Sequence, residues 1–195
     1  MSDTGAVKAL RESSARRPRQ QGTASRLVDA ALDVLRHSSH ADLTVRGVAA
    51  RAEVAPATAY TYFSSKNHLV AEVYLHLVRQ VPYHTDVNET RLHRVQQTLR
   101  SLALMVADEP ELAAACTIAL LSNDAGVPAV RDQVGSEIHK RIKSALGPGP
   151  DGGTVSALEM SYFGALVQAG SGAFTYRQIA DRLGYVAGLV LDGDR

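Results

Sequence analysis

The chain has 195 residues, of which 45% are hydrophobic and 21% are charged, a composition typical of a globular protein rather than a disordered one. Its single cysteine, Cys116, excludes an intrachain disulfide framework and a metal site built from several cysteines. The net charge of +1 is unevenly distributed: residues 1–66 hold ten Lys/Arg and six Asp/Glu, a balance of +4, whereas residues 67–195 hold eleven and fourteen, a balance of −3. The basic front part indicates an anionic partner, although chance clustering would give the same distribution.

The first 21 residues are predicted to form a flexible basic arm. They mix Ser, Gly, Pro and Gln with five basic side chains and show no sustained apolar stripe. The stretch from Met1 to Arg19 lacks the apolar core of a secretory signal, so we expect a cytoplasmic protein.

Three short helices are predicted next. Apolar residues at helical spacing indicate a first helix at about 23–37, and Thr44 is placed to cap a second one. After the brief turn 53–55, Pro56 suits the first position of a third helix that runs to about Tyr62. Two short helices joined by a turn and preceded by a supporting helix form a helix-turn-helix, although a generic helical hairpin has the same periodicity.

Longer helices are predicted from Ser64 or Ser65 to the end of the chain. The fourth helix begins there, and the others cover about 89–107, 112–122, 129–146, 154–169 and 176–191. Asp108-x-x-Glu111 and Thr175-x-x-Gln178 each resemble a capping box. The predicted fold is therefore all-α, with about nine helices and no strand pattern. It divides into the arm 1–21, a helix-turn-helix domain 22–66 and a helical ligand-binding and dimerisation domain 67–195.

The sequence motifs of the helix-turn-helix resemble a known family. Thr44-Val45-Arg46, Val48-Ala49-x-x-Ala52-x-Val54 and Ala55-Pro56-Ala57-Thr58-Ala59-Tyr60-x-Tyr62-Phe63-x-Ser65-Lys66-x-x-Leu69 closely resemble the TetR family of repressors, in residue types and in spacing. The rest of the chain resembles the family only in helical layout and total length. The resemblance implies a transcriptional regulator that is not an enzyme. It further implies a homodimer bound to a palindromic double-stranded DNA operator and released by a small molecule.

The DNA-binding side chains are expected at the starts of the second, third and fourth helices. The candidates are Thr44, Arg46, Pro56, Ala57, Thr58, Tyr60, Thr61, Tyr62 and Lys66. The resemblance implies that Tyr60 and Lys66 bind phosphates; packing of Tyr60 and Tyr62 against the first helix is the alternative. The groove-facing residues suit thymine methyl groups, so specificity is expected to depend also on Arg46, on DNA shape and on the arm.

Three positions depart from the family pattern, and one of them is Ser39, which stands where a glycine is expected between the first two helices. Glu53 occupies a turn position that often holds glycine, so it is strained if the turn needs a positive φ there. Gly47 replaces the usual acidic residue near the start of the second helix, so the capping box of that helix is lost.

A ligand pocket and a dimer interface are expected in the second half of the chain. The candidate pocket residues are Leu102, Met105, Leu112, Cys116, Leu120, Tyr162, Phe163, Leu166 and Phe174. They would suit a small hydrophobic effector, although each is also an ordinary core residue. The last two helices are the candidate dimer interface. The residues concerned are Ala157, Met160, Ser161, Gly164, Ala165, Gln168, Ala169, Val186, Leu189 and Val190. An intrachain core would give these helices the same pattern.

The leading hypothesis is thus a ligand-released repressor, and the alternative is an architectural DNA-binding protein without an effector. The seven histidines are scattered, and we expect neither a metal site nor a cofactor. A helical enzyme that uses Cys116 is disfavoured because no partner for acid–base or nucleophilic work stands near it in the pattern.

Overall fold

The computed structural model describes residues 22–149 and 152–192; the predictions for the basic arm 1–21 lie outside these ranges. Every regular element in them is a helix, which confirms the predicted all-α fold. Helix α1 covers residues 22–35. The other eight helices are α2 (Val45–Arg51), α3 (Pro56–Tyr62), α4 (Lys66–Gln80), α5 (Arg91–Leu104), α6 (Pro110–Leu121), α7 (Val127–Leu146), α8 (Gly152–Gly170) and α9 (Tyr176–Asp192).

Helices α1, α2 and α3 pack around a small apolar core. Leu27 and Leu35 of α1, Val48 of α2, Ala59 of α3 and Phe63 after α3 are all buried there. Burying one of the leucine, valine or phenylalanine side chains contributes about 1.5–3 kcal/mol. Most of α3 faces away from this core, since Ala59 is its only fully buried residue.

The turn between α2 and α3 has the backbone conformation that glycine favours. Glu53 has a φ of 54°, as expected if the family's glycine position needs a positive φ. The turn is closed by two backbone hydrogen bonds: the Glu53 amide donates to the Ala50 carbonyl at 3.2 Å, and the Val54 amide donates to the Ala49 carbonyl at 2.9 Å. A left-handed conformation costs a non-glycine residue roughly 1–2 kcal/mol, so these contacts hold the turn against local strain.

Helix α4 links this small unit to the rest of the fold. Eight of its residues are buried, and it packs against both α6 and α7. Beyond it, α5 lies along α7 and α9, and α8 packs on α9. None of the helices in the described ranges is long and apolar enough to cross a membrane.

One of the two predicted capping boxes is formed, and the prediction of the other is wrong. At α9, the Gln178 amide donates to Thr175 Oγ1 at 3.2 Å and the Thr175 amide donates to Gln178 Oε1 at 2.9 Å. Helix α6 instead begins at Pro110 with no side-chain cap. Its expected capping residue, Asp108, pairs with Arg177 at 2.7 Å. The proline at the first position leaves one fewer amide to cap, so the carboxylate is free to bind a cation from another helix.

The C-terminal end of α4 is held by a buried arginine of α7. Arg141 is only 2% exposed and donates to the Val81 carbonyl at 3.0 Å and the Arg79 carbonyl at 2.9 Å. The same guanidinium pairs with Glu137 at 2.8 Å. Hydrogen bonds from Lys140 and Arg141 lower the pKa of Glu137, so its carboxylate stays charged at neutral pH. One side chain therefore satisfies two carbonyls at the end of α4 and one carboxylate.

Replacing this arginine is expected to destabilise the fold. Arg141→Ala should lower the free energy of unfolding by about 3 kcal/mol, because it leaves two buried carbonyls without a donor and removes one of the two cations that pair with Glu137. Urea unfolding followed by circular dichroism measures the change.

The matched control is Arg100→Ala. Arg100 forms an ion pair with Asp181 at 2.9 Å, but both side chains are largely exposed. Its loss should cost less than about 1 kcal/mol. Equal effects of the two substitutions would contradict the anchoring role of Arg141.

Candidate nucleic-acid interface and cavity

One face of α3 is turned to solvent along its whole length. Pro56, Ala57, Thr58, Tyr60 and Thr61 are exposed, and Tyr60 as a whole residue is 53% exposed. The Thr61 hydroxyl donates to the Thr58 carbonyl at 2.6 Å, so it remains on the helix surface as an acceptor. The helix thus presents a short row of hydroxyls beside small apolar side chains.

The start of α2 adds a cation next to this face. Thr44 caps the helix, its Oγ1 accepting from the Gly47 amide at 3.0 Å. Arg46 follows on the exposed side, and neither a hydrogen bond nor an ion pair links it to another residue in the described part of the chain. By contrast, Arg51 at the other end of α2 pairs with Asp33. Arg46 is therefore available to an external anion.

Two more of the predicted DNA-binding residues, Tyr62 and Lys66, have partners within the chain. Tyr62 is partly buried in a groove that Ser25 and Val28 of α1 also line. The Lys66 ammonium donates to the His40 carbonyl at 2.8 Å, which leaves two of its three protons for other acceptors. The positions of Tyr62 and Lys66 in the sequence could not reveal these contacts, because both contacts depend on how α1 and the segment after it pack.

An apolar cavity of about 500 Å³ lies among α4, α6, α7, α8 and the start of α9. Three predicted pocket residues line it: Leu120, Phe163 and Leu166. Its other wall residues are Tyr74, Val106, Ala113, Thr117, Leu121, Arg131, Asp132, Val134, Gly135, Val167 and Tyr176. The sequence analysis missed these, and above all Tyr74, because apolar periodicity marks a buried face without showing whether that face meets a neighbour or a void.

Six predicted pocket residues do not line this cavity. Leu102, Leu112, Cys116 and Tyr162 lie in the core, and Met105 and Phe174 are partly buried against it. Tyr162 illustrates the reason: its hydroxyl is bonded to the Leu102 carbonyl and to Tyr74, so it stands behind the cavity wall. Phe174 is covered by Arg182, whose guanidinium carbon lies 3.8 Å from the ring centroid.

The chemistry of Cys116 is that of a buried thiol. Its side chain is enclosed, and burial raises its pKa to about 12, so the nucleophilic thiolate is absent at neutral pH.

Within the described ranges, no three His, Cys, Asp or Glu side chains are grouped closely enough to hold a metal ion.

Helices α8 and α9 leave apolar side chains uncovered. Met160 is 75% exposed and Tyr185 70% exposed, and Val167 and Leu189 are also exposed. Among the predicted interface residues, Gly164 and Gln168 share the open face of α8. Ala165 and Ala169 are buried, and the remaining ones, Ala157, Ser161, Val186 and Val190, are partly buried.

Known proteins resemble this chain in sequence. Residues 27–73 match the family described as "Bacterial regulatory proteins, tetR family". An HTH-type transcriptional regulator of Mycobacterium tuberculosis is 67% identical over 184 residues, which cover 93% of this chain and 86% of the relative.

Solved structures share the fold. A TetR transcriptional regulator from Rhodococcus sp. RHA1 superposes with a TM-score of 0.76 at 23% identity, covering 89% of this chain and 97% of that one. Thermus thermophilus FadR, a repressor solved with lauroyl-CoA, has a TM-score of 0.67 at 18% identity, with coverages of 87% and 94%. This chain therefore belongs to the TetR family and is a DNA-binding transcriptional regulator, not an enzyme.

Proposed function

We propose that the protein is a ligand-released repressor that binds a palindromic operator as a homodimer. The observation that carries the proposal is the exposed face of α3 beside the unpaired Arg46. A single helix-turn-helix covers one half-site, so a symmetric pair of protomers matches a palindrome. Residues 22–66 would bind DNA, and residues 67–195 would bind the effector and the second protomer.

In this proposal α3 lies in the major groove. The hydroxyls of Thr58 and Tyr60 bind phosphates, and Pro56 and Ala57 contact thymine methyl groups. Arg46 neutralises a backbone phosphate at the edge of the same groove. Thr44, Thr61, Tyr62 and Lys66 have intramolecular hydrogen bonds or partial burial, so they contribute to the interface through their remaining donors and acceptors.

The dimer would form through α8 and α9. Their exposed apolar side chains, Met160, Val167, Tyr185 and Leu189, give an uncovered surface of the kind that marks an interaction site in a soluble protein. In an isologous dimer the same surface serves both protomers.

The effector would occupy the 500 Å³ cavity, which lies in the size range of small-molecule sites. Its wall is mostly apolar, which suits a hydrophobic molecule. FadR, a structural neighbour, was solved with lauroyl-CoA, a ligand that carries an aliphatic chain. Effector and operator would favour different dimer geometries, so that each weakens the binding of the other by the same factor.

Selection of genomic fragments by the purified protein tests operator binding. We expect enrichment of one or a few palindromic sequences, with an affinity that falls steeply with salt in a gel-shift assay.

Arg46→Ala should weaken binding to such a fragment at least about fivefold, or ~1 kcal/mol, because a phosphate or base contact is lost.

Arg51→Ala is the control for this variant. It removes the same charge from the same helix, but Arg51 pairs with Asp33, so operator affinity should change less than about twofold. Uniform enrichment of all fragments would contradict the repressor and favour the alternative, an architectural DNA-binding protein without an effector.

Charges placed on the α8–α9 surface test the dimer. The double substitution Met160→Glu and Leu189→Glu should raise the dimer dissociation constant about 100-fold or more, because carboxylates would lose water in an apolar contact. Sedimentation equilibrium measures the change. Val87→Glu, at a position 90% exposed between α4 and α5, is the control and should leave the dimer intact. A dimer that resists the double substitution is formed by another surface.

A further inference from the structure

The wall of the cavity carries three hydroxyl side chains, those of Tyr74, Thr117 and Tyr176. A hydroxyl has one proton to donate and lone pairs that accept. The hydrogen bonds of these groups determine which of the three protons are already used, and hence what each oxygen offers to a molecule inside the cavity.

The proton of Tyr74 is committed to the core. The Tyr162 hydroxyl donates its own proton to the Leu102 carbonyl at 3.3 Å. The hydrogen bond of 2.9 Å between the two phenols therefore has Tyr74 as its donor. Burial raises the pKa of both phenols, so neither loses its proton at neutral pH. The Tyr74 oxygen keeps its lone pairs, and no residue of the described ranges donates to them.

The Thr117 hydroxyl follows the same pattern. It donates to the Ala113 carbonyl at 3.0 Å, so its only proton is used within α6. The Tyr176 phenol lies next to Thr117, and no hydrogen bond donated by it is found within the described ranges, so its proton is available to the cavity. Burial also raises the pKa of Tyr176, which keeps the phenol protonated.

Tyr74 and Thr117 thus offer acceptors and no donors to the interior. The donors of the cavity are the Tyr176 phenol and Arg131; Arg131 is exposed at the rim and already donates to the Leu120 and Ser122 carbonyls, each at 2.8 Å. A carbonyl, ether or carboxylate placed next to Tyr74 would lose its hydrogen bonds to water and face lone pairs instead. An alcohol or phenol placed there would regain a partner.

We propose that the cavity selects an apolar molecule with a hydroxyl group at its buried end, and that this hydroxyl donates to Tyr74. The proposal rests on the proposed role of the cavity as the effector site and specifies its ligand class, an alcohol or phenol. An alkyl chain that enters the cavity with its methyl end forms no hydrogen bond with these acceptors. The site therefore prefers a ligand with a buried hydroxyl over an alkyl chain, a preference that burial of apolar surface alone would not give.

A matched pair of probes tests this preference: 4-hexylphenol, which has the donor, and 4-hexylanisole, its methyl ether, which has only the acceptor. Isothermal titration calorimetry on the full-length protein should show the phenol bound at least about tenfold more tightly, because the site can pair its proton. Equal affinities, or binding of neither probe, would overturn the proposal.

Two conservative variants test whether the Tyr74 oxygen is the acceptor that causes the preference for the phenol. Tyr74→Phe removes the acceptor, and the preference for the phenol should fall below about twofold while the affinity for the ether is unchanged. Tyr162→Phe removes the partner of the Tyr74 proton, so Tyr74 becomes a donor towards the cavity and the ether should bind more tightly than to the natural protein. A merely structural role for the two tyrosines would change both probes alike, and circular dichroism confirms that each variant is folded.

A gel shift with a selected operator fragment, run on the same preparations, separates this proposal from the preceding one. A protein that binds its operator but shows no preference for the phenol contradicts only the ligand class. A protein that prefers the phenol through Tyr74 but selects no operator contradicts only the repressor.

Discussion

Helix α4 is fixed at both ends by side chains from the second half of the chain, and the position of α2 and α3 depends on it. Arg141 of α7 holds the carbonyls at its C-terminal end. At its N-terminal end, the Asn67 amide donates to Asp124 at 3.1 Å and to Ser122 at 3.2 Å, both in the segment between α6 and α7. Hydrogen bonds from Ser122, Ser65 and Asn67 lower the pKa of Asp124, so this acceptor is charged at neutral pH.

The elements that hold α4 also enclose the cavity. Tyr74 belongs to α4 itself, and Arg131 of α7 lines the rim while it donates to the Leu120 and Ser122 carbonyls at the end of α6. A molecule in the cavity therefore contacts the helices that set the direction of α4. This continuity gives the proposed effector a physical means of acting on the DNA-facing helices, and linkage requires that DNA act equally on the effector.

The sequence was sufficient where the determinants are local. Thr44 caps α2 as predicted, Ser65 caps α4 at one of the two serines proposed for its start, and the Thr175–Gln178 box is formed, because each cap needs only residues within one turn. The prediction was wrong at Asp108, which pairs with a cation far along the chain. The same limit applies to the cavity: helical periodicity identified buried positions such as Leu102, but which of them border a void is decided by the approach of α6 and α8 to α4.

Amide hydrogen exchange shows whether the exposed face of α2 and α3 binds DNA. Exchange is measured on the protein alone, with a selected operator fragment, and with a scrambled fragment of equal length. We expect the operator to slow exchange in peptides covering residues 44–66, and the scrambled fragment to do so far less at the same concentration. Slower exchange confined to residues 91–192, or no difference between the two fragments, would contradict this expectation.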